Sequence, residues 1–235
     1  VRFRLMLRLA YGLADGVISI SQAQRQWMLD CSPRNGRANR QLVNPNKVIV
    51  INPASKIEEI LTIEPKNPSQ PLQIGAYGRF AKQKGFDVLL EAIALLSPEK
   101  FQLHLCGYGP DEAIIQQLSN KLPQVQLFGP SKDISKFLSL CDVVVIPSRW
   151  EPWGLVGLEA KAAGKPIVAS AVDGLCEQVQ SCGILVPPND PQKLAEAIAS
   201  LPDRDLAAWG KAGRDSVVNA WDEFLDRWDK FLGEV

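Results

Sequence analysis

The sequence predicts an α/β fold built on a doubly wound, parallel, Rossmann-like sheet, with an incomplete second domain beside it. From Leu72 onward, short apolar runs rich in Val, Ile and Leu alternate with amphipathic, helix-like segments. The runs are apolar on both faces, as strands buried inside a parallel sheet are. Strict alternation of strand and helix also implies right-handed crossovers.

The N-terminal part of the chain contains too few strands for an independent domain. Its pattern predicts, in order, a helix over 2–14, a strand over 16–20, a helix from Ser21 and a strand over 47–51. Two strands cannot bury a core of their own. We therefore expect residues 1–53 to be the C-terminal remnant of a second Rossmann-like domain whose beginning is missing. Residues 54–71 contain three prolines and are expected to form an interdomain linker.

Residues 72–215 are expected to form the complete sheet domain. The expected strands are 72–77, 101–106, 125–128, 142–147, 166–170 and 183–187. Ser131 and Asp190 are typical helix starts, and Gly164 is a typical helix end. Residues 216–235 carry apolar side chains at helical spacing, which predicts an amphipathic helix that packs back on the remnant or on the sheet domain.

Composition and charge restrict the class of protein. Of the 235 residues, 46% are hydrophobic, which excludes a disordered chain. Lys and Arg together number 26, as do Asp and Glu, so the formal net charge is zero and no nucleic-acid partner is expected. Five cysteines without a Cys-x-x-Cys pair argue against a disulfide framework or a zinc site and favour a cytoplasmic location. No apolar run approaches the ~18 residues that a membrane span needs.

Three further features are interpreted structurally. The arginine-rich first helix would suit weak contact with the cytoplasmic face of a membrane, but an ordinary helix of the incomplete domain is favoured. Asp203-Arg204-Asp205 has the spacing of a metal motif, yet it follows Pro202 and opens a helix, so helix capping is favoured. His104, the only histidine of the sequence, lies in mid-strand and is expected in the core.

The loop after the first strand of the sheet domain carries cations. In the segment GRFAKQKG, Arg79 and Lys84 follow the strand, and Gly85 opens the next helix. Ligands of open parallel sheets bind outside the carboxyl ends of the strands, and an arginine fork with a lysine point charge suits a diphosphate. The glycine pattern of a dinucleotide fingerprint is absent. Taken alone, the segment is equally well interpreted as a solvated basic turn.

A second segment, EPWGLVGLE, follows the strand at 142–147. Pro152 disfavours the helical conformation for Glu151, so this carboxylate is expected on a loop. The helix then begins near Gly154, and its free N–H groups suit a phosphate or a sugar hydroxyl. Glu159 lies more than one turn inside that helix. The two carboxylates could accept hydrogen bonds from the hydroxyls of a sugar and a ribose, or they could be a helix-dipole residue and a surface residue.

These segments resemble a known family. Glu151 and Glu159 match the E-x7-E motif of the GT-B-fold retaining glycosyltransferases of the group 1, or family-4, class. GAYGRFAKQKGFDVLLEAIALL, LCGYGPDE and EPWGLVGLEAKAAGKPIVAS are similar to the donor-binding half of this class. The resemblance covers about residues 72–201 and extends weakly over 14–53, which is similar to the end of the acceptor domain.

The resemblance implies roles for the matching positions. The implied catalytic residues are Arg79, Lys84 and Glu151. The implied donor contacts are Gly78, Trp153, Gly154, Leu155 and Glu159. Arg79 and Lys84 would bind the diphosphate of the donor, Glu151 would hold sugar hydroxyls, and Glu159 would hold the ribose. No metal ion and no cofactor are implied, because the nucleotide sugar is itself a substrate.

The implied activity is transfer of a sugar from a nucleoside-diphosphate sugar to an acceptor, with retention of the anomeric configuration. The acceptor would be a glycan, a lipid-linked sugar or a small molecule, and this chain alone is expected to be a poor catalyst without the rest of the acceptor domain. Two alternatives stay open at this stage. One is a sugar-nucleotide-binding module without transferase activity, and the other is a different GT-B enzyme, such as a sugar-nucleotide epimerase.

Overall fold

The structure is a computed structural model that describes residues 2–29, 43–131 and 133–234. Its strands are β1 (Val17–Ser19), β2 (Val48–Val50), β3 (Leu72–Arg79), β4 (Phe101–Tyr108), β5 (Val125–Phe128), β6 (Val143–Ile146), β7 (Ile167–Ser170) and β8 (Gly183–Val186). Its helices are α1 (Arg2–Leu13), α2 (Gln22–Leu29), α3 (Glu58–Leu61), α4 (Phe86–Ala94), α5 (Glu112–Ser119), α6 (Ile134–Leu140), α7 (Leu155–Ala162), α8 (Leu175–Gln178), α9 (Pro191–Ala199), α10 (Leu206–Asp215) and α11 (Ala220–Glu234).

Six strands form one parallel sheet in the order β5-β4-β3-β6-β7-β8. Counted from β3, this is the order 3-2-1-4-5-6 of a doubly wound sheet. The chain runs outward in one direction from β3 and in the other from β6, so the two halves diverge at the β3–β6 pair. The fold class expected from the sequence is therefore confirmed.

Both faces of the sheet are buried. On β6, Val143 and Val145 belong to one apolar cluster, with α4 and α9. Val144 and Ile146 belong to the cluster on the opposite face, with α6 and α7. All four side chains are buried. This double burial explains why the strands are continuous apolar runs rather than alternating patterns.

The N-terminal segment forms a separate small sheet. β1 and β2 pair in parallel, and a cluster of Val17, Met28, Val43 and Val48 packs beside them. The division of the chain at residues 53, 71 and 215 stays a prediction. Within the expected linker, however, the structure has the short helix α3, and Ile57 and Ile60 are buried against the main sheet. These two isoleucines anchor a segment whose prolines suggested only a connection.

The C-terminal helix α11 carries a ladder of aromatic rings. Trp221, Phe224, Trp228 and Phe231 contact one another in succession along the helix. Arg227 donates a hydrogen bond to the carbonyl of Val50, at 3.3 Å, at the end of β2. Over the described ranges, no helix has both the length and the hydropathy that a bilayer crossing requires.

Candidate functional site

Both sequence motifs lie at the switch point of the main sheet. Arg79 ends β3, and the loop that carries Glu151 follows the neighbouring strand β6. Because the connections after β3 and β6 lead in opposite directions, a crevice opens outside the carboxyl ends of these two strands. The strand order therefore brings together the two segments that the sequence singled out.

Lys84 and Glu151 form an ion pair across this crevice. The Ser148 hydroxyl donates to the same Glu151 oxygen, Oε2, at 3.3 Å. The backbone N–H of Glu151 donates to the Asp173 carboxylate at 3.0 Å, which fixes the backbone of the loop. Glu151 is only 6% exposed. The Glu151 carboxylate is thus fixed in position as a hydrogen-bond acceptor, and Lys84 compensates its charge.

Two glycines let the loops approach this closely. Gly85 has φ +65°, and a Cβ at this position would lie 2.1 Å from the carbonyl oxygen of Pro147. Gly154 has φ +89°, and a Cβ there would lie 2.8 Å from Cγ of Glu151. A side chain at either position would combine an unfavourable backbone conformation with a steric clash. Glycine is therefore required by the geometry of the ion pair.

The start of α7 is fixed by hydrogen bonds to its flanking carbonyls. Gln178 Nε2 donates to the carbonyls of Trp153 and Gly154, at 2.5 and 3.2 Å. The indole N–H of Trp153 donates to the carbonyl of Pro53 at 2.9 Å. Gly154 supplies no side-chain cap, so the first N–H groups of α7, those of Leu155 and Val156, are available to an anion, whereas the N–H of Gly157 donates to the carbonyl of Gly154.

Glu159 lies inside α7 and is bound by a tyrosine. The Tyr77 hydroxyl donates to Oε2 of Glu159 at 2.7 Å. Burial raises the pKa of Glu159 above its ordinary value, and the hydrogen bond from Tyr77 opposes the rise. The second carboxylate of the motif is therefore an oriented group in a site of low polarity, rather than the surface residue of the alternative interpretation.

Arg79 occupies the rim of the crevice. It is exposed at the end of β3, directly after Gly78, whose φ is +141°. Within the described residues, no carboxylate forms an ion pair with it. The two cations of the basic loop thus differ, because Lys84 is paired and half-buried whereas Arg79 is a solvated charge.

Arg149 joins the two loops, and the sequence reasoning missed it. Its guanidinium makes two hydrogen bonds to the Asp87 carboxylate, each 2.8 Å long, and a third to the carbonyl of Lys82. The Asn189 side chain accepts a fourth at 2.6 Å. Arg149 holds the pKa of Asp87 below its ordinary value through these hydrogen bonds. The only signal in the sequence is its position two residues before Glu151.

The remaining candidates have structural roles. Asp205 caps α10 by accepting a hydrogen bond from the N–H of Ala208, as the sequence favoured over a metal motif. His104 is buried in β4, and its Nε2 lies 2.7 Å from Oε1 of Gln73. Asp133, rather than the expected Ser131, caps α6, because its carboxylate accepts from the N–H of Lys136.

Metal-ligating side chains are not concentrated in the described ranges, where no group of three or more His, Cys, Asp and Glu residues could hold an ion. The described cysteines are free thiols: Cys106, Cys141 and Cys182 are buried, and Cys176 is exposed. Cys31 lies outside the described residues. The expected independence from metal ions stays a prediction.

Comparison with known proteins gives a consistent family. The profile of the family "Glycosyl transferases group 1" matches residues 71–203. An uncharacterized glycosyltransferase of Methanocaldococcus jannaschii is 36% identical over 150 residues, which are 60% of this chain and 37% of that protein. The alpha-maltose-1-phosphate synthase of Mycolicibacterium smegmatis is 32% identical over 244 residues, covering 90% of this chain and 60% of that protein. This chain therefore spans less than two thirds of either relative.

The fold is also shared with a solved structure. The crystal structure of Anabaena HepE in complex with UDP and glucose superposes with a TM-score of 0.78 at 23% sequence identity. The superposition covers 99% of this chain and 67% of that chain. The six-stranded sheet and the smaller sheet thus have counterparts in one known architecture.

Proposed function

The chain belongs to the group 1 glycosyltransferases, and from this membership we propose that it binds a nucleoside-diphosphate sugar as donor. Within its full-length protein it would transfer the sugar to an acceptor, with retention of the anomeric configuration. The observation that carries the proposal is that Arg79, the Lys84–Glu151 ion pair and Glu159 all belong to elements that meet at one crevice, at the β3–β6 switch point. Its helix N-termini and its cations suit the diphosphate, and its carboxylates suit the hydroxyls.

The two cations would stabilise the diphosphate as it leaves. Negative charge grows on the leaving phosphate during transfer, and preorganised cations lower the energy of that state. Lys84 is already fixed by Glu151, while Arg79 is exposed at the rim and free to close over the ligand. The charge compensation would come from Arg79, from the free N–H groups at the starts of α4 and α7, and from Lys84 where the diphosphate competes with Glu151 for it. We therefore propose transfer without a metal ion.

Glu159 would bind the ribose. Tyr77 occupies one of its oxygens, and the other stays available to accept from a ribose hydroxyl. Glu159 is partly buried, which lowers the local polarity and strengthens a hydrogen bond to its carboxylate. Glu151 would accept from sugar hydroxyls in the same way. Because Lys84 and Ser148 already hold its Oε2, it is suited to positioning the sugar rather than to nucleophilic attack. Retention would then come from attack by the acceptor on the anomeric carbon, from the same face as the one on which the phosphate departs.

Calorimetric titration with UDP and UDP-glucose tests the proposal, since UDP and glucose are bound in the HepE crystal structure. Arg79→Ala and Lys84→Ala each remove a charge-assisted contact worth roughly 1.5–3 kcal/mol, which weakens UDP binding by about ten- to a hundredfold. Lys193→Ala, at an exposed ion pair on α9, is the matched control and is expected to bind UDP as the parent chain does. Undiminished UDP affinity in both site variants, with the fold intact, rejects the diphosphate assignment.

The two glutamates are separated by the choice of ligand. Glu159→Ala is expected to weaken UDP and UDP-glucose alike, because both contain the ribose. Glu151→Ala is expected to weaken UDP-glucose and to spare UDP. Product analysis with the full-length protein then distinguishes the alternatives: a glycosylated acceptor indicates a transferase, an altered nucleotide sugar indicates an epimerase, and saturable binding without turnover indicates a binding module.

A further inference from the structure

A second pocket lies near the amino end of β6, at the opposite end of the strands from the crevice. It has a volume of about 330 Å³ and is walled by residues 65–68, by the turn between α7 and β7, and by α10. Its polar lining consists of Lys66, Asp142, Lys165, Lys211 and Arg214. Asp142 directly precedes β6, whereas the crevice lies beyond the other end of that strand. The two sites are therefore separated by the length of β6, about 13 Å.

The single carboxylate of the pocket lining is already engaged. Asp142 Oδ2 accepts from the backbone N–H groups of Ser69 and Gln73, each at 2.9 Å. Asp142 Oδ1 lies 3.1 Å from Lys66 Nζ. These contacts fix the proline-rich segment to the start of β6, and they leave the other three cations of the pocket without this partner.

Lys165 is the least compensated of these cations. It is only 4% exposed, and within the described part of the chain no carboxylate oxygen lies within 4 Å of its Nζ. Burial, and after it the charge of Lys66, lowers the pKa of the Lys165 ammonium group. A buried cation is costly unless a partner compensates it. The position of Lys165 therefore favours an anion in the pocket.

Arg214 presents an unsatisfied donor beside it. Its Nη2 donates to the carbonyl of Ile63 at 2.6 Å, and its guanidinium lies against Gly164. Among the described residues, its buried Nε has no hydrogen-bond partner. Lys211, one turn earlier on α10, is exposed and pairs with Asp215 on the same helix. Among the described residues, Lys66 and Lys211 pair with Asp142 and Asp215, whereas Lys165 and Arg214 have no carboxylate partner. Two positive charges of the lining are therefore uncompensated.

We propose that this pocket binds a small phosphate monoester. The two uncompensated charges match a phosphate dianion, and an arginine fork with lysine ammonium groups is the donor set that phosphate prefers. The volume lies at the lower limit of small-molecule sites, which leaves room for a short organic group on the phosphate. Such a ligand connects the 65–68 segment, the turn at Lys165 and α10. The site does not depend on the proposed donor site.

Calorimetric titration of the chain with glycerol 3-phosphate and with inorganic phosphate, at constant ionic strength, tests the proposal. We expect saturable binding that Lys165→Gln weakens by about tenfold or more. Lys211→Gln, which removes an exposed ammonium group shared with Asp215, is expected to weaken it by about two- to fivefold. Lys193→Gln, which removes an exposed lysine outside the pocket, is the control and is expected to bind as the parent chain does. Because Lys211 is exposed, its replacement decides the question even where Lys165→Gln fails to fold.

Three results would overturn the proposal. The first is that neither probe binds saturably, or that the parent chain and both pocket variants bind the probes equally well. The second is binding that Arg79→Ala abolishes and Lys165→Gln leaves intact, because the phosphate then occupies the crevice. The third is retention on phosphatidic acid vesicles without binding of either soluble phosphate, because the ligand is then a lipid headgroup at a membrane surface.

Discussion

Removal of Lys84 should destabilise the folded chain because it leaves the buried Glu151 carboxylate without its cation. Breaking a buried ion pair by removing one partner costs about 3–5 kcal/mol. The Lys84 side chain is 19% exposed, so water and the Ser148 hydroxyl compensate part of the loss, and the lower value of about 3 kcal/mol applies. For a chain of this length, each kcal/mol shifts Tm by about 2–4 °C, which gives a decrease of about 6–12 °C for Lys84→Met.

A double-mutant cycle separates the pair from the rest of the loop. Glu151→Gln removes the uncompensated charge, so Lys84→Met in that background should cost less, with a coupling energy of about 1–3 kcal/mol. Urea denaturation of the four proteins gives this coupling directly. Lys193→Met, at the exposed pair with Glu196, is the control, and its unfolding midpoint should be that of the parent chain. A coupling energy near zero would refute the reasoning, since the two charges would then not interact in solution.

Three other substitutions probe the same crevice. The raised pKa of Glu159 means that its carboxyl group binds a proton more tightly in the folded state than in the unfolded chain. The free energy of unfolding should therefore fall as pH rises above about 4.5. Glu159→Gln should remove this decrease, which denaturation curves on either side of that pH measure. Arg149→Gln should let the pKa of Asp87 rise toward its ordinary value, and an unchanged carboxyl titration by NMR would contradict this. Gly85→Ala should destabilise the chain by about 2 kcal/mol or more, because the added Cβ would lie 2.1 Å from a carbonyl oxygen, whereas Gly129→Ala meets open space and should be tolerated.

The sequence determines the sheet well because its signals are local. Each strand of the main sheet is a short apolar run, and the double burial of β6 is visible as an uninterrupted Val-Val-Val-Ile. The caps at Asp190 and Asp205 are equally local, since each side chain bonds an N–H three residues later. The helix α3 was missed because its apolar pair, Ile57 and Ile60, lies among prolines and polar residues.

The candidate site was only partly predictable, for a physical reason. Glu151 and Glu159 belong to a fixed spacing within one loop and one helix, so the motif identifies them. Their partners come from distant positions: Tyr77 is 82 residues from Glu159, and Lys84 is 67 residues from Glu151. No periodicity relates such positions. The sequence does not show that Lys84 and Glu151 form an ion pair in the absence of a ligand. This pairing becomes visible only when β6 is placed beside β3.

The strand order also supports the proposed binding of an anion in the crevice. In a parallel α/β sheet, each helix begins where the chain leaves the carboxyl end of a strand, so α4 and α7 both begin at this edge. Gly85 and Gly154, the residues just before them, provide no side-chain cap, so both helix N-termini keep free N–H groups there. The partial positive charges of two helices thus add to the charges of Arg79 and Lys84. Glu151 offsets the charge of Lys84, whereas Arg79 is exposed and forms no ion pair with a described carboxylate. A diphosphate entering from the side of Arg79 can engage Arg79 before it competes with Glu151 for Lys84.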